Sequence, residues 1–298
     1  MTTLRDIGED ALIERITALV PQHPSPAAGP GDDCAVIDPG PECDTLQLLK
    51  TDALAGGIHF LPESPARAVG WKAAARVVSY FAAMGGKPGC FLVTLALPGD
   101  TEVSWVEELY LGIGDCLHAF GAVLAGGETS SVPDGSAPVI SVAATGSVAL
   151  GHLVLRSTGR AGDVLLVTGR LGGSLGGRHL AFMPRIREAE WLVSHCKPSA
   201  MMDLSDGLAK DLPRLAAASL CGFTLDHAAL PVSPGCEVAN ALGDGEDFEL
   251  LLAIHPAHVG KLLAGWAGAF PDLPLTVIGR LVGAGGGDFL TGGWDHFR

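Results

Sequence analysis

Charged side chains are scarce in this chain of 298 residues, with Asp, Glu, Lys and Arg making up 17% where soluble chains ordinarily carry about a quarter. Cations are the rarer sign: 19 Lys and Arg stand against 33 Asp and Glu, a formal net charge of −14. So few cations argue against nucleic-acid and anionic-membrane partners. The seven cysteines include no C-x-x-C pair and follow no regular spacing. That removes the usual signs of a zinc site or a disulfide framework and leaves reduced thiols, as in the cytoplasm. An apolar leader is missing too, since Asp6, Glu9, Asp10 and Glu14 stand where a secretory signal would carry one. Residues 135–155 lack Asp, Glu, Lys and Arg, but Ser136, Ser141, Thr145, Gly146, Ser147, Gly151 and His152 interrupt them. With β-branched residues dominating the apolar part, two buried strands joined at a glycine are expected there, not a spanning helix.

What the chain does hold is apolar residues at 48%, 41 glycines and 20 prolines. Disorder is excluded by the first figure, and many tight turns follow from the others. The length suits one large or two ordinary domains. Residues 1–149 carry 7 basic and 18 acidic side chains, residues 150–298 carry 12 and 15. An acidic first half facing an anionic substrate needs cations in between.

Leu12, Ile13, Ile16, Leu19 and Val20 recur at helical spacing, predicting an opening helix ended by Pro21, with a turn-rich segment after it. Strands are expected at 34–38 and 45–51. Ser64-Pro65 opens an alanine-rich helix that closes at Gly85-Gly86. A strand (91–97), a helix (103–120) and strands at 122–125 and 138–145 follow. The second block begins near Leu150, with a strand at 164–168, a glycine-rich turn, helices through Trp191, a strand at 200–202 and a helix at 207–218. Strands at 248–253 and 275–278 flank one more helix. The expected fold is α/β or α+β in two domains, 1–149 and 150–298, sharing a broad interface.

Acidic residues cluster in short glycine-bearing segments expected to be turns at strand ends: Gly31-Asp32-Asp33, Thr51-Asp52, Gly126-Gly127-Glu128-Thr129, Asp203-Leu204-Ser205-Asp206-Gly207 and Asp244-Gly245-Glu246-Asp247. Singly, each reads more readily as a solvated turn, a helix N-cap or an exposed loop. Together they supply hard oxygen ligands beside glycines whose backbone N–H groups can approach phosphate, which suits Mg²⁺–nucleotide chemistry. The chain has no G-x-x-x-x-G-K-[ST], no G-x-G-x-x-G and no H-R-D loop, so an ATP site here is of another type. Gly172-Gly173-Ser174-Leu175-Gly176 matches the G-x-S-x-G nucleophile elbow, with His255 or His296 as partners on paper. However, Arg170 to Gly173 separate the serine from its strand, and a helix entry rich in small residues is the plainer reading.

Read in order, these segments resemble the thiamine-monophosphate kinase family, within the superfamily of aminoimidazole ribonucleotide synthetase and selenophosphate synthetase. The similarity spans nearly the whole chain, through GEDALI (8–13), GDDCAV (31–36), TDALAGGIHF (51–60), GWKAAARVVSYFAAMGGKP (70–88), LAGGETS (124–130), LRSTGRAGD (155–163), VTGRLGGSLGG (167–177), MDLSDGLAKDL (202–212), DGEDFELL (244–251) and GWDHF (293–297). The resemblance implies an N-terminal mixed sheet that pairs across a homodimer and a C-terminal α+β domain closing the active site. It also implies ATP-dependent phosphorylation of thiamine monophosphate. Residue by residue, Asp33, Thr51, Asp52, Glu128, Asp203 and Asp206 would bind several Mg²⁺ ions, Asp33, Asp52 and Asp206 being the catalytic carboxylates. Tyr110, Gly127, Glu128, Arg156 and Ser205 would hold ATP, while His59, Glu246 and Trp294 would face thiamine phosphate. From the residues alone, His59 reads as a core or surface histidine, Glu246 as a loop carboxylate and Trp294 as a packed tail aromatic.

The chain departs from the family at Tyr80, where an S-D-[LI]-A-A-M-G pattern puts an aspartate that bridges metals. A phenol ordinarily titrates near 10 and supplies no carboxylate at neutral pH. Gly126-Gly127-Glu128-Thr129-Ser130-Ser131 replaces G-G-D-T-T-R, and Gly173 stands where L-G-D-S has aspartate. Three readings therefore stay open: an active kinase, a non-catalytic or altered-substrate ATP-binding relative, and, remotely, a Ser174 hydrolase.

Overall fold

The computed structural model describes residues 2–21 and 29–297; most of the turn-rich segment expected after Pro21 lies outside them. Two compact units make up the chain, one of residues 37–154 and 175–198, the other of residues 1–36, 155–174 and 199–298. The expected division between residues 149 and 150 treats each half as one stretch, whereas both units are assembled from separate segments. Ion pairs explain the longest of these exchanges: Glu9 meets Lys210 at 2.9 Å and Arg214 at 3.4 Å, which ties the N-terminal helix to the unit built mainly from the C-terminal half.

That helix, α1 (Leu4–Thr17), is kinked at Gly8, whose φ of 75° only glycine adopts easily. It ends before the expected Leu19 and Val20, which are exposed. After it come β1 (Ala35–Ile37), β2 (Thr45–Ala55), α2 (Ala66–Ala83), β3 (Lys87–Pro98), α3 (Val103–Phe120), β4 (Val123–Val132) and β5 (Val139–Ala149). The five strands form a mixed sheet in the order β1-β2-β5-β3-β4, β3 and β4 running parallel. Helix α2 begins just after Pro65, whose ring fixes φ, and stops before Gly85, where φ is 73°. It is buried along nearly its whole length. A Cβ on Gly112 would overlap the Arg67 carbonyl, and one on Gly70 the Leu109 carbonyl, so α2 and α3 cross with their backbones in contact.

Three expectations for this unit change. Strand β5 runs unbroken through Gly146 instead of forming two strands, because β2 pairs with it from Thr45↔Ala149 to Ala55↔Val139; a Cβ on Gly146 would crowd the Phe81 ring at 2.8 Å. For the same reason Thr51 and Asp52 lie mid-strand, not in a turn. Glu128 is also in a strand, opposite Thr94 of β3.

The second unit holds β6 (Val164–Thr168), β7 (Ala200–Asp203), α5 (Leu208–Ala218), β8 (Gly222–Leu225), α6 (Val238–Gly243), β9 (Leu250–Ile254), α7 (Pro256–Ala269) and β10 (Leu275–Val282), while α4 (Ile186–His195) belongs to the first. Its sheet has the order β7-β9-β6-β10-β8, and every pair is antiparallel. Leu165, Val167, Met202, Leu212, Leu251 and Ile278 meet in its core. The fold is α+β. No helix among the described residues is long and apolar enough to cross a membrane.

Candidate active site

In the unit with the antiparallel sheet, the chain leaves β7 at buried Asp203 and turns through Leu204-Ser205-Asp206-Gly207 into α5, Gly207 taking a φ of 99°. Asp206 is held by its surroundings. Its backbone N–H donates to Asp211 Oδ2 at 2.9 Å, and its own Oδ2 meets Arg214 Nη1 at 2.5 Å and Lys210 Nζ at 3.4 Å. Asp211 is fully buried; burial first, and Asp206 second, raise its pKa. Lys210 and Arg214, one helical turn apart, reach back to Glu9, and Arg214 also to Asp10 at 2.7 Å.

Ahead of β1, Asp32 and Asp33 both meet Arg156, Asp33 through the guanidinium and Asp32 through the backbone N–H. Arg156 binds Asp33 through two hydrogen bonds, Nε–Oδ2 at 3.0 Å and Nη2–Oδ1 at 2.5 Å, while its backbone N–H donates to Asp32 Oδ2 at 3.3 Å. Burial opposes the Arg156 charge, yet Asp33, Asp32 and Asp203 together raise its pKa. Burial and the neighbouring Asp33 charge push Asp32 up to about 6. This corner is short of positive charge.

Two further segments close on the same turn. Glu246 N–H donates to Ser205 O at 2.7 Å, Phe248 N–H to Leu204 O at 2.8 Å, and Trp294 N–H to Asp206 O at 2.8 Å. Glu246 and Phe248 both have positive φ, 52° and 51°, strain that non-glycine residues adopt only when surroundings impose it. The imposition comes from the glycine-rich segment after β6. Gly172 and Gly173 N–H donate to Asp247 Oδ1 at 3.0 Å and Asp244 Oδ2 at 2.7 Å, and Ser174 Oγ to Gly245 O at 2.5 Å. Of the four carboxylates in this run, Asp244 and Asp247 hold the backbone of the glycine-rich segment, and Glu249 accepts from Thr168 Oγ1 at 2.7 Å. Ser205, Asp206, Glu246 and Trp294 are thereby brought together. Ser174 is not a nucleophile: it is 0% exposed and its hydroxyl is spent on a carbonyl. His255 instead caps α7, and His296 packs against Trp294.

In the unit with the mixed sheet, Asp52 projects from β2 toward α2. Its Oδ1 accepts from Ala53 N–H at 2.7 Å and from Arg76 Nη2 at 3.3 Å; its Oδ2 lies 2.9 Å from Arg76 Nε and accepts from Tyr80 OH at 3.3 Å. Lys50 Nζ sits 3.6 Å from the centroid of the Tyr80 ring. Tyr80 therefore donates to a carboxylate where the family pattern supplies another one. His59 Nδ1 accepts from Ala55 N–H at 3.0 Å, which places the imidazole proton on Nε2, and buried Lys72 donates to His59 O at 2.5 Å. Thr51 and Glu128 are exposed, and Tyr110 is half-buried on α3. Gly127 is required by the sheet, because a Cβ there would overlap the Val93 carbonyl. Among the described residues, no three His, Cys, Asp or Glu side chains are gathered closely enough to hold a metal ion by themselves.

The family described as AIR synthase related protein, N-terminal domain, matches residues 31–148. A thiamine-monophosphate kinase of Rhodopirellula baltica is 35% identical over 295 residues, covering 93% of this chain and 90% of the relative. The chain belongs to the thiamine-monophosphate kinase family. The thiamine-monophosphate kinase of Aquifex aeolicus is 33% identical with 99% of both chains covered. Among solved structures, "AaThiL complexed with AMPPCP and TMP" is 30% identical with a TM-score of 0.85, over 100% of this chain and 99% of that one.

The cations of these sites carry no signal of their own in the sequence: Lys72, Arg76 and Lys210 stand inside the family motifs with no role assigned, and Lys50 and Arg214 lie outside them. One signal was available: Arg76 and Tyr80 are four residues apart on a helix, and so share a face.

Proposed function

We propose that this protein transfers the terminal phosphoryl group of ATP to thiamine monophosphate, giving thiamine diphosphate. The observation that carries the reading is the similarity to thiamine-monophosphate kinases over 93% of the chain, supported by the convergence of Ser205, Asp206, Glu246 and Trp294 on one turn.

The acceptor is a phosphate monoester whose second pKa lies near 6, so it is largely ionised at neutral pH. A strong general base is unnecessary, and catalysis rests on aligning two polyanions and offsetting their charge. Arg156 would supply a fixed cation to the ATP phosphates, beside Ser205, Gly127 and Tyr110 as further ATP contacts. Trp294 is half-exposed, and its indole face suits a flat cationic thiazolium. Glu246 and His59 complete the proposed acceptor contacts.

Mg²⁺ is bound in such enzymes by one or two carboxylates plus substrate phosphates, where it neutralises the developing charge. Such a mode needs no closed cage of three carboxylates. The residues around Asp33 fit it, since the charges of Asp33, Asp32 and Asp203 all act on the one Arg156 guanidinium. Asp33, Asp203, Asp206, Thr51 and Glu128 are the proposed ligands. The reading includes a cytoplasmic location and a homodimer paired through the mixed sheet, whose Leu92, Val123 and Leu124 are exposed.

One observation favours a second reading, a non-catalytic ATP-binding relative: the hydrogen bond from Tyr80 to Asp52 removes a carboxylate from the expected metal set. Turnover of wild type and Tyr80→Asp, followed with ATP, Mg²⁺ and thiamine monophosphate, separates them. Wild-type turnover within about tenfold of the variant supports the kinase; turnover by the variant alone supports the relative.

A further inference from the structure

The charges of Asp33, Asp32 and Asp203 all act on the one Arg156 guanidinium, whereas Asp52 receives three hydrogen bonds and the Arg76 ion pair. An ionised carboxylate offers about four lone-pair sites, and three hydrogen bonds reach those of Asp52, two on Oδ1 and one on Oδ2, with Arg76 Nε 2.9 Å from Oδ2. Arg76 and Asp52 side chains are 8% and 15% exposed, so water has little room to exchange them. Lys50 Nζ, 3.6 Å from the centroid of the Tyr80 ring, adds a second positive charge near this pair. A divalent cation approaching Asp52 would have to displace the paired Arg76 guanidinium and tolerate two positive charges of its own sign.

We infer that Arg76, with Lys50 over the Tyr80 ring, takes the electrostatic place of a divalent ion at Asp52, and that Asp52 positions Arg76 and ligates no metal. The three parts depend on one another. With an aspartate at position 80, Asp52 would have a second carboxylate beside it and a cation demand that one guanidinium meets poorly. With tyrosine there, Asp52 faces a guanidinium and a neutral hydroxyl in place of a second carboxylate. Tyr80 is then a compensated replacement: one metal-binding position fewer, balanced by a cation carried on the same helix. The inference rests on the kinase reading only for the presence of a nucleotide-associated metal elsewhere in the protein.

The test counts Mn²⁺ bound per chain by electron paramagnetic resonance, with and without AMPPCP, in wild type, Asp52→Asn and the Arg76→Val/Tyr80→Asp double variant, each checked by thermal melting. The expected result is an equal count for wild type and Asp52→Asn, with dissociation constants within about twofold, and one additional ion in the double variant. One ion fewer in Asp52→Asn, or no gain in the double variant, overturns the inference. Should Asp52→Asn lose its cooperative melt, the double variant decides alone. Failure of wild type to bind AMPPCP would count against the kinase reading instead, and the counts taken without nucleotide would still judge Asp52.

Discussion

Replacing Ser174 by alanine separates a structural serine from a nucleophile. Its hydroxyl is buried and donates at 2.5 Å to the carbonyl of Gly245, itself buried. The substitution removes that bond and leaves the carbonyl without this donor, which costs about 1–3 kcal/mol. For a protein of this size the corresponding fall in Tm is roughly 2–10 °C. The residue after Gly245 is Glu246, whose N–H is bonded to Ser205 O, so loosening the loop reaches the proposed acceptor site before the chemistry. The expected kinetic signature is a KM for thiamine monophosphate raised several-fold with kcat nearly unchanged. Differential scanning fluorimetry and steady-state kinetics read both quantities. An unchanged Tm with kcat abolished would contradict a structural role for Ser174, as would its labelling by a fluorophosphonate in the wild-type protein.

The acid–base predictions concern Asp32 and Cys116. Asp32 is raised from 3.8 to about 6, so the folded state holds a proton that the unfolded chain has already released. Its contribution to stability is therefore present below about pH 4 and lost as pH rises through 6, a swing of about 2–3 kcal/mol. Urea melts of wild type against Asp32→Asn across that window should show the difference appear, and a flat difference contradicts the assignment. Burial pushes the Cys116 thiol up to about 12. At pH 8 a disulfide reagent should consume exposed Cys43 and Cys90 quickly and reach Cys116 only in denaturant; early labelling of Cys116 would count against its placement. Arg214→Met should cost about 2–3 kcal/mol in chemical denaturation, because it strips Asp206, Glu9, Asp10 and buried Asp211 of a shared cation whose side chain is 24% exposed. A change under 0.5 kcal/mol would show that these contacts do little in solution.

How far the sequence could be read depended on local punctuation. Pro65 and Gly85 bracket α2, and the expected helix is close to the observed one. The strand expected at 164–168 is the one found, since four apolar residues and a threonine bounded by Asp163 and Gly169 have few alternatives. Thr51-Asp52 and Gly127-Glu128 were misread as turns because polar residues and glycines usually mark them. In the fold, β5 and β3 supply hydrogen-bonding partners that carry β2 and β4 through these positions. β8 and α6 were not anticipated: four residues and six residues give a period too little length to register. At the candidate site, the acidic positions could be named from the motifs, but their partners could not. Arg76 on Asp52, Arg156 on Asp33 and Arg214 on Asp206 join residues 24, 123 and 8 positions apart. Pairings at such separations are set by how the elements pack.

Synthesis of thiamine diphosphate by this chain can be followed directly. Purified wild-type protein incubated with ATP, Mg²⁺ and thiamine monophosphate should form thiamine diphosphate and ADP in equal amounts, followed by ³¹P NMR, with no product when either substrate or the metal is withheld. No thiamine diphosphate after prolonged incubation, from protein that melts cooperatively and still binds AMPPCP, would contradict the kinase reading.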